Sequence, residues 1–171
     1  AAQGHLLRVY DIDKNTVAKI DQETEDFVLS PAASGPCAHQ FVAFRTSETV
    51  AGRDLNGDGD THDAVLRVYD VTTGELLETA QAAVPCTLDG CDPRLPYRIV
   101  GSQVRFLTRE CDQGGRARAG CPAGGADMNG DGDAGDLIVQ VYDVCAKRAA
   151  TIGEIAAAAT VAGVDPLKDE D

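Results

Sequence analysis

Carboxylates at every second position of a glycine-bearing loop form a metal-ligand pattern, and this chain has two such loops. The first reads Asp54-Leu55-Asn56-Gly57-Asp58-Gly59-Asp60 and gains a further acid at Asp63. The second reads Asp127-Met128-Asn129-Gly130-Asp131-Gly132-Asp133 and gains Asp136. A hard divalent cation such as calcium takes six to eight oxygens from carboxylates, carbonyls and water. Alternation aims the Asp and Asn oxygens at one centre, and the intervening Gly permits the tight turn. The expected ligands are Asp54, Asn56, Asp58, the Asp60 carbonyl and Asp63 in one loop. In the other they are Asp127, Asn129, Asp131, Asp133 and Asp136. Magnesium suits the pattern less, because it keeps more of its own water. An acidic surface turn built on Asn-Gly and Asp-Gly would explain one loop. Two copies in the same register before matching strands favour two calcium sites.

The loops belong to a larger repeat. Gly4–Asp11, Asp63–Asp70 and Asp136–Asp143 align without a gap, each an apolar strand ending in Tyr-Asp. A turn and a second strand follow each one. Two further apolar runs precede each loop: 26–30 and 39–48 before the first, 97–101 and 102–110 before the second. The unit is strand a, strand b, loop, strand c, turn, strand d. Four antiparallel strands in about 60 residues describe one propeller blade. The c strands are apolar on both faces, as expected of a strand buried between neighbours. The expected fold class is therefore all-β, with about two and a half four-stranded antiparallel propeller-type blades and calcium loops between strands b and c. Residues 5–20 form a half blade of c and d alone. Residues 26–80 form a blade with loop 54–63, and residues 97–153 a blade with loop 127–136. The tail 154–171 reads as helix from its Ala run or as strand from Thr160-Val161-Ala162-Gly163, and as a strand it is a candidate donor to a neighbour.

Positions 1, 3, 5 and 6 of each loop match the EF-hand calcium loop. Position 12, where that motif has Glu, holds Val65 and Ile138, and a strand follows instead of a helix. The layout resembles the calcium hairpin loops of FG-GAP and integrin-alpha-like propellers and related secreted bacterial propeller repeats. That resemblance implies a loop joining two strands of one blade. The phenylalanine-glycine and glycine-alanine-proline signatures of that group are absent, and the closing Asp sits one residue later.

Propeller geometry also narrows the pairing of the six cysteines. Cys86 and Cys91 share one connection, Cys111 and Cys121 another, and each pair is expected to bridge locally. Cys37 and Cys145 remain, to join two blades or to cross-link to another chain. Six cysteines in an acidic chain point to an oxidising, extracellular or cell-surface setting. Zinc is disfavoured by the wide Cys86–Cys91 spacing and the lack of a nearby His.

The formal charge of −13 in 171 residues excludes nucleic acid as a natural partner, since phosphates require clustered Lys and Arg. No apolar run reaches the length needed for membrane insertion as a helix. No nucleophile–base pair or acid pair stands out among the Ser, His and carboxylate residues, so the chain reads as a non-enzyme. His62 reads as a solvated loop residue. The basic stretch 114–120, closed by Cys111 and Cys121, reads as a stapled exposed loop. Two functional classes follow. One is an extracellular calcium-binding, disulfide-stapled structural or interaction protein that assembles with itself head to tail, as a ring or a filament. The other is a non-catalytic segment of a longer propeller in a secreted hydrolase or lyase.

Overall fold

The computed structural model describes residues 4–12, 14–31, 38–86, 95–114, 116–118 and 121–155. They form a mostly β structure in which every strand pairing is antiparallel. Strands β1 (His5–Asp11) and β2 (Thr16–Thr24) make a two-stranded ribbon. Strands β3 (Asp26–Leu29), β4 (Phe41–Ser47), β5 (Ala64–Asp70) and β6 (Glu75–Ala82) make a first four-stranded sheet in chain order. Strands β7 (Arg98–Val100), β8 (Gln103–Arg109), β11 (Leu137–Asp143) and β12 (Arg148–Ile155) make a second sheet in the same order. Between β8 and β11 lies a small hairpin of β9 (Arg116–Arg118) and β10 (Cys121–Gly125). The a-b-c-d order read from the repeat is thus the order of both sheets. Among the described residues no ring or barrel closes.

The Tyr-Asp ending of each c strand has a local cause. The Asp caps the turn that follows. Asp70 Oδ1 accepts from the Thr72 and Thr73 backbone N–H at 2.8 and 3.1 Å. Asp143 Oδ1 accepts from Cys145 and Ala146 at 3.0 and 2.9 Å, and Asp11 Oδ1 accepts from Lys14 at 2.9 Å. Such Asx turns are the ordinary use of Asp at a chain reversal. Each turn then passes through the left-handed region, at Asn15 (φ 52°), Gly74 (φ 77°) and Lys147 (φ 52°).

The ribbon and the two sheets stack as three layers in sequence order. Phe41, Ala43, Leu66, Val68 and Leu77 of the first sheet meet Tyr97, Val104, Phe106, Tyr142 and Val144 at the second. On the other face of the first sheet, Val42 and Phe44 pack with Leu7, Val9 and Ile20 of the ribbon. Strand β4 is therefore buried on both faces, which explains its unbroken apolar run. Arg67 of β5 is nearly fully buried in the ribbon layer. Its guanidinium stacks on the Phe44 ring at 5.9 Å and bonds Glu78 and Gln22, so its charge is paired within the stack. Tyr97 is pinned between the sheets, its hydroxyl within 3.1 Å of both the Ala43 carbonyl and Asp26 Oδ1.

The first repeat extends to Thr24, beyond the expected 20, and the last strand to Ile155, beyond the expected 153. Residues 156–171, including most of the tail, lie outside the described residues, as do Cys37 and Cys91.

Candidate metal centre

Each acidic loop grows from the end of a b strand. After β4 the chain makes one helical turn, α1 (Glu48–Ala51), which Ser47 caps by accepting from the Val50 N–H. After β8 it makes a 3-10 turn, Glu110–Asp112. The base of each loop is closed by one backbone bond. Glu48 N–H donates to the Asp63 carbonyl at 2.9 Å, and Glu110 N–H donates to the Asp136 carbonyl at 3.0 Å.

Within the loops the same bonds recur residue for residue. Asp54 accepts from Gly57 (2.6 Å) and Gly59 (2.9 Å), and Asp127 from Gly130 (2.6 Å) and Gly132 (3.1 Å). Asn56 Oδ1 accepts from Asp58 N–H at 3.2 Å, and Asn129 Oδ1 from Asp131 N–H at 3.1 Å. Asp58 and Asp131 accept from the N–H of Asp60 and Asp133, both at 3.0 Å. Asp60 and Asp133 accept from His62 and Gly135, both at 2.8 Å. Gly59 and Gly132 hold φ of 100° and 106°, a conformation closed to other residues without strain. From Asn56 to Asp60, and from Asn129 to Asp133, each alternate side chain accepts a backbone N–H two residues on, which fixes the shape of both loops.

The acids gather into two clusters. Carboxylate oxygens of Glu48, Asp58, Asp60 and Asp63 lie within 4.8 Å of one another, and so do those of Glu110, Asp133 and Asp136. Of the expected ligand residues, Asp58, Asp60, Asp63, Asp133 and Asp136 are brought together there, Asp60 through its carboxylate and not the carbonyl expected of it. Asp54, Asp127 and Asp131 lie outside these groups. Asp54 and Asp127 brace the turn through two backbone N–H each. Asn56 and Asn129 point their amides at Asp63 Oδ2 (3.5 Å) and Asp136 Oδ2 (3.1 Å). The His62 side chain is 84% exposed and leans on Asp60, in keeping with a solvated loop residue.

Glu48 and Glu110 were not among the expected ligands, yet both are completely buried at the floor of a cluster. Glu48 Oε1 accepts from the backbone N–H of Leu55 and Asn56. Glu110 accepts from Met128 (2.6 Å) and Asp136 (3.3 Å). Glu48 Oε2, by contrast, is buried with no hydrogen-bond partner. A signal for both acids exists in the sequence. Phe44-Arg45-Thr46-Ser47-Glu48 and Phe106-Leu107-Thr108-Arg109-Glu110 share Phe, Thr and Glu at the same spacing.

The electrostatics of the first cluster are those of crowded acids. Burial, the hydrogen bond to Asp58 and the charges of Asp112, Asp58 and Asp60 push the Asp63 carboxyl up to about 8. A bound cation opposes that shift, because it favours the charged carboxylate. Burial also raises Asp112, and the Asp58 and Asp60 charges add to that, against the pull of Arg109.

No protein-family model, curated protein or solved structure matches this chain. The site must be read from its own chemistry. Its donor set is all oxygen, with no His or Cys in either cluster, which suits a hard cation over zinc or copper. A buried carboxylate oxygen without a partner is costly unless a charge of opposite sign meets it. The residues of the first loop thus fit a divalent cation on an observation independent of their number.

The disulfide Cys111–Cys121 is present as expected and ties the 3-10 turn to β10 beside the second loop. Cys86 and Cys145 are also disulfide-bonded, and the partners expected for them lie outside the described residues. The expected pairings of Cys91 and Cys37 fall on those residues.

Proposed function

We propose that each loop binds one calcium ion and that the protein is an extracellular, disulfide-stapled, propeller-like structural or interaction module with no chemistry of its own. The observation that carries this reading is Glu48 Oε2, buried without a partner among Asp58, Asp60 and Asp63. The second site is proposed by the likeness of the two loops and by the buried Glu110 in the matching position, both of whose oxygens accept backbone N–H bonds. Calcium satisfies Glu48 and offsets the crowding of charge that raises Asp63. It also fixes the loop that joins strands b and c. Millimolar calcium outside cells fills even a weak site of this type.

An interaction role is supported by the ribbon. In both four-stranded sheets strand c pairs with b on one side and d on the other, whereas β1 pairs only with β2 among the described residues. Leu6, Tyr10, Phe27 and Leu29 near that edge are each more than half exposed. An open edge of this kind accepts a further strand, supplied head to tail by a second copy or by the remainder of a longer propeller. Light scattering with and without calcium separates these partners, since only self-assembly enlarges the purified particle.

The test of the ion sites is thermal unfolding of the oxidised chain in calcium and in chelator. Calcium at about 100 times its dissociation constant adds on the order of 2.7 kcal/mol per site, so chelation lowers the melting temperature. Asp58→Ala combined with Asp131→Ala reproduces the chelated curve and abolishes the response to calcium. A melting curve indifferent to both chelator and calcium refutes the reading.

A further inference from the structure

The first loop is not completed within its own sheet. The segment following β8 in the second sheet lies against it. Asn56 Nδ2 donates to the Asp112 carbonyl at 2.8 Å. Gly114 passes so close that a Cβ there would sit 3.5 Å from the Asp58 Cβ. Between them Gln113 ties the segment to the end of β6, accepting from Ala82 N–H at 2.7 Å and donating to the Ala80 carbonyl at 2.9 Å. The same short turn begins at Glu110, whose carboxylate lies in the second cluster. Glu110 thus faces its own loop, while the backbone of Asp112, two residues on, contacts the loop of the preceding repeat.

We propose that Asp112 is a further residue of the first calcium site, contributed across the boundary between the sheets, and that the turn Glu110–Asp112 couples the two ions. This rests on the calcium reading of the loops. That the first loop takes a cation is indicated independently by Glu48 Oε2, fully buried and without a partner. Calcium affinity in such loops is set by ligand charge and by rigidity, and Asp112 adds to both. Its carboxylate brings one more negative charge, and its carbonyl anchors Asn56. An ion in the second loop holds Glu110 and so holds the turn from which Asp112 reaches the first. The ion in the first loop therefore binds two sheets together, and each ion raises the affinity for the other, as linkage requires.

The experiment is calorimetric titration of the oxidised full chain with calcium chloride, on wild type, Asp112→Ala, Asp112→Asn and Asp136→Ala. Wild type is expected to bind two ions. Asp136→Ala removes the second event and weakens the first. Asp112→Ala weakens the first event by about 10- to 100-fold, as loss of a supporting metal-site group does, and does so in the Asp136→Ala background as well. Both variants keep the backbone carbonyl that accepts from Asn56. Asp112→Asn also keeps the side-chain shape and removes only the charge, so a weakened first event in that variant decides the matter if the Ala variant does not fold. Two wild-type events left unchanged by both Asp112 variants overturn this proposal alone. A loss confined to the event that Asp136→Ala abolishes also overturns it. No binding to wild type overturns the calcium reading and this proposal with it.

Discussion

Glu48→Gln should reverse its effect on stability when calcium is removed. The substitution keeps the size of the side chain and the oxygen that accepts from Leu55 and Asn56. It replaces Oε2, the buried oxygen without a partner, by an amide NH2 or its rotamer equivalent. In calcium the variant loses one ligand charge. A 10- to 100-fold weaker site at calcium about 100 times the original dissociation constant forfeits about 1–2 kcal/mol of linkage. For a chain of this size that is a fall in melting temperature of about 2–8 °C. In chelator the sign changes. The new N–H donors face Asp58, Asp60 and Asp63, relieving a buried unsatisfied oxygen whose cost is about 1–3 kcal/mol. The variant should then melt at least about 2 °C above wild type. The assay is scanning calorimetry of both proteins in calcium and in chelator. Equal shifts of the same sign in the two conditions would refute the reasoning, because Glu48 would then be only a loop anchor.

Asp70→Asn should cost stability at neutral pH and cost less in acid. Burial acts to raise the Asp70 carboxyl, but hydrogen bonds from Thr73, His39 and Thr72 outweigh it and hold the group below its usual range. A folded value below the unfolded one of about 3.9 gives stability that is present above pH 4 and lost as pH falls through the lowered value. Urea midpoints at pH 7 and pH 3 should show the gap between variant and wild type narrowing. Cys111→Ser with Cys121→Ser opens a link between residues 10 apart in sequence, and the loop-entropy model gives a loss of about 2–3 kcal/mol. That loss should appear as a lower urea midpoint whether or not calcium is present.

The strands were legible because this chain writes its sheet pattern three times. Tyr10, Tyr69 and Tyr142 mark the end of strand c in each copy, and the following Asp marks the turn. Antiparallel neighbours in chain order need only local pattern to be read. The acids within each loop were legible for the same reason, since alternation in a Gly-rich stretch has one simple geometric meaning. Glu48 and Glu110 were harder because each sits outside its loop, after a strand whose apolar residues draw attention. A buried Glu there has no periodicity to announce it, and in the second copy the 111–125 insert separates it from the loop it serves. Asp112 was harder still, for its partner loop lies in the preceding repeat and only packing brings the two together. Asp54 and Asp127 have a second part that the motif did not announce, for their oxygens also hold Gly57, Gly59, Gly130 and Gly132.

The stacking of ribbon, first sheet and second sheet in chain order bears on how the polypeptide is made. Among the described residues the pairings of the main strands join sequence neighbours, except that of β8 with β11 across the small stapled hairpin. A chain leaving the ribosome at about 5–20 residues per second can therefore finish the first sheet before the second has been translated. Among the described residues, no edge of the first sheet waits for a strand still inside the tunnel. The Phe41–Leu66–Val68 face is then the surface most in need of cover during synthesis, and the next residues to emerge, Tyr97 through Phe106, are the ones that cover it.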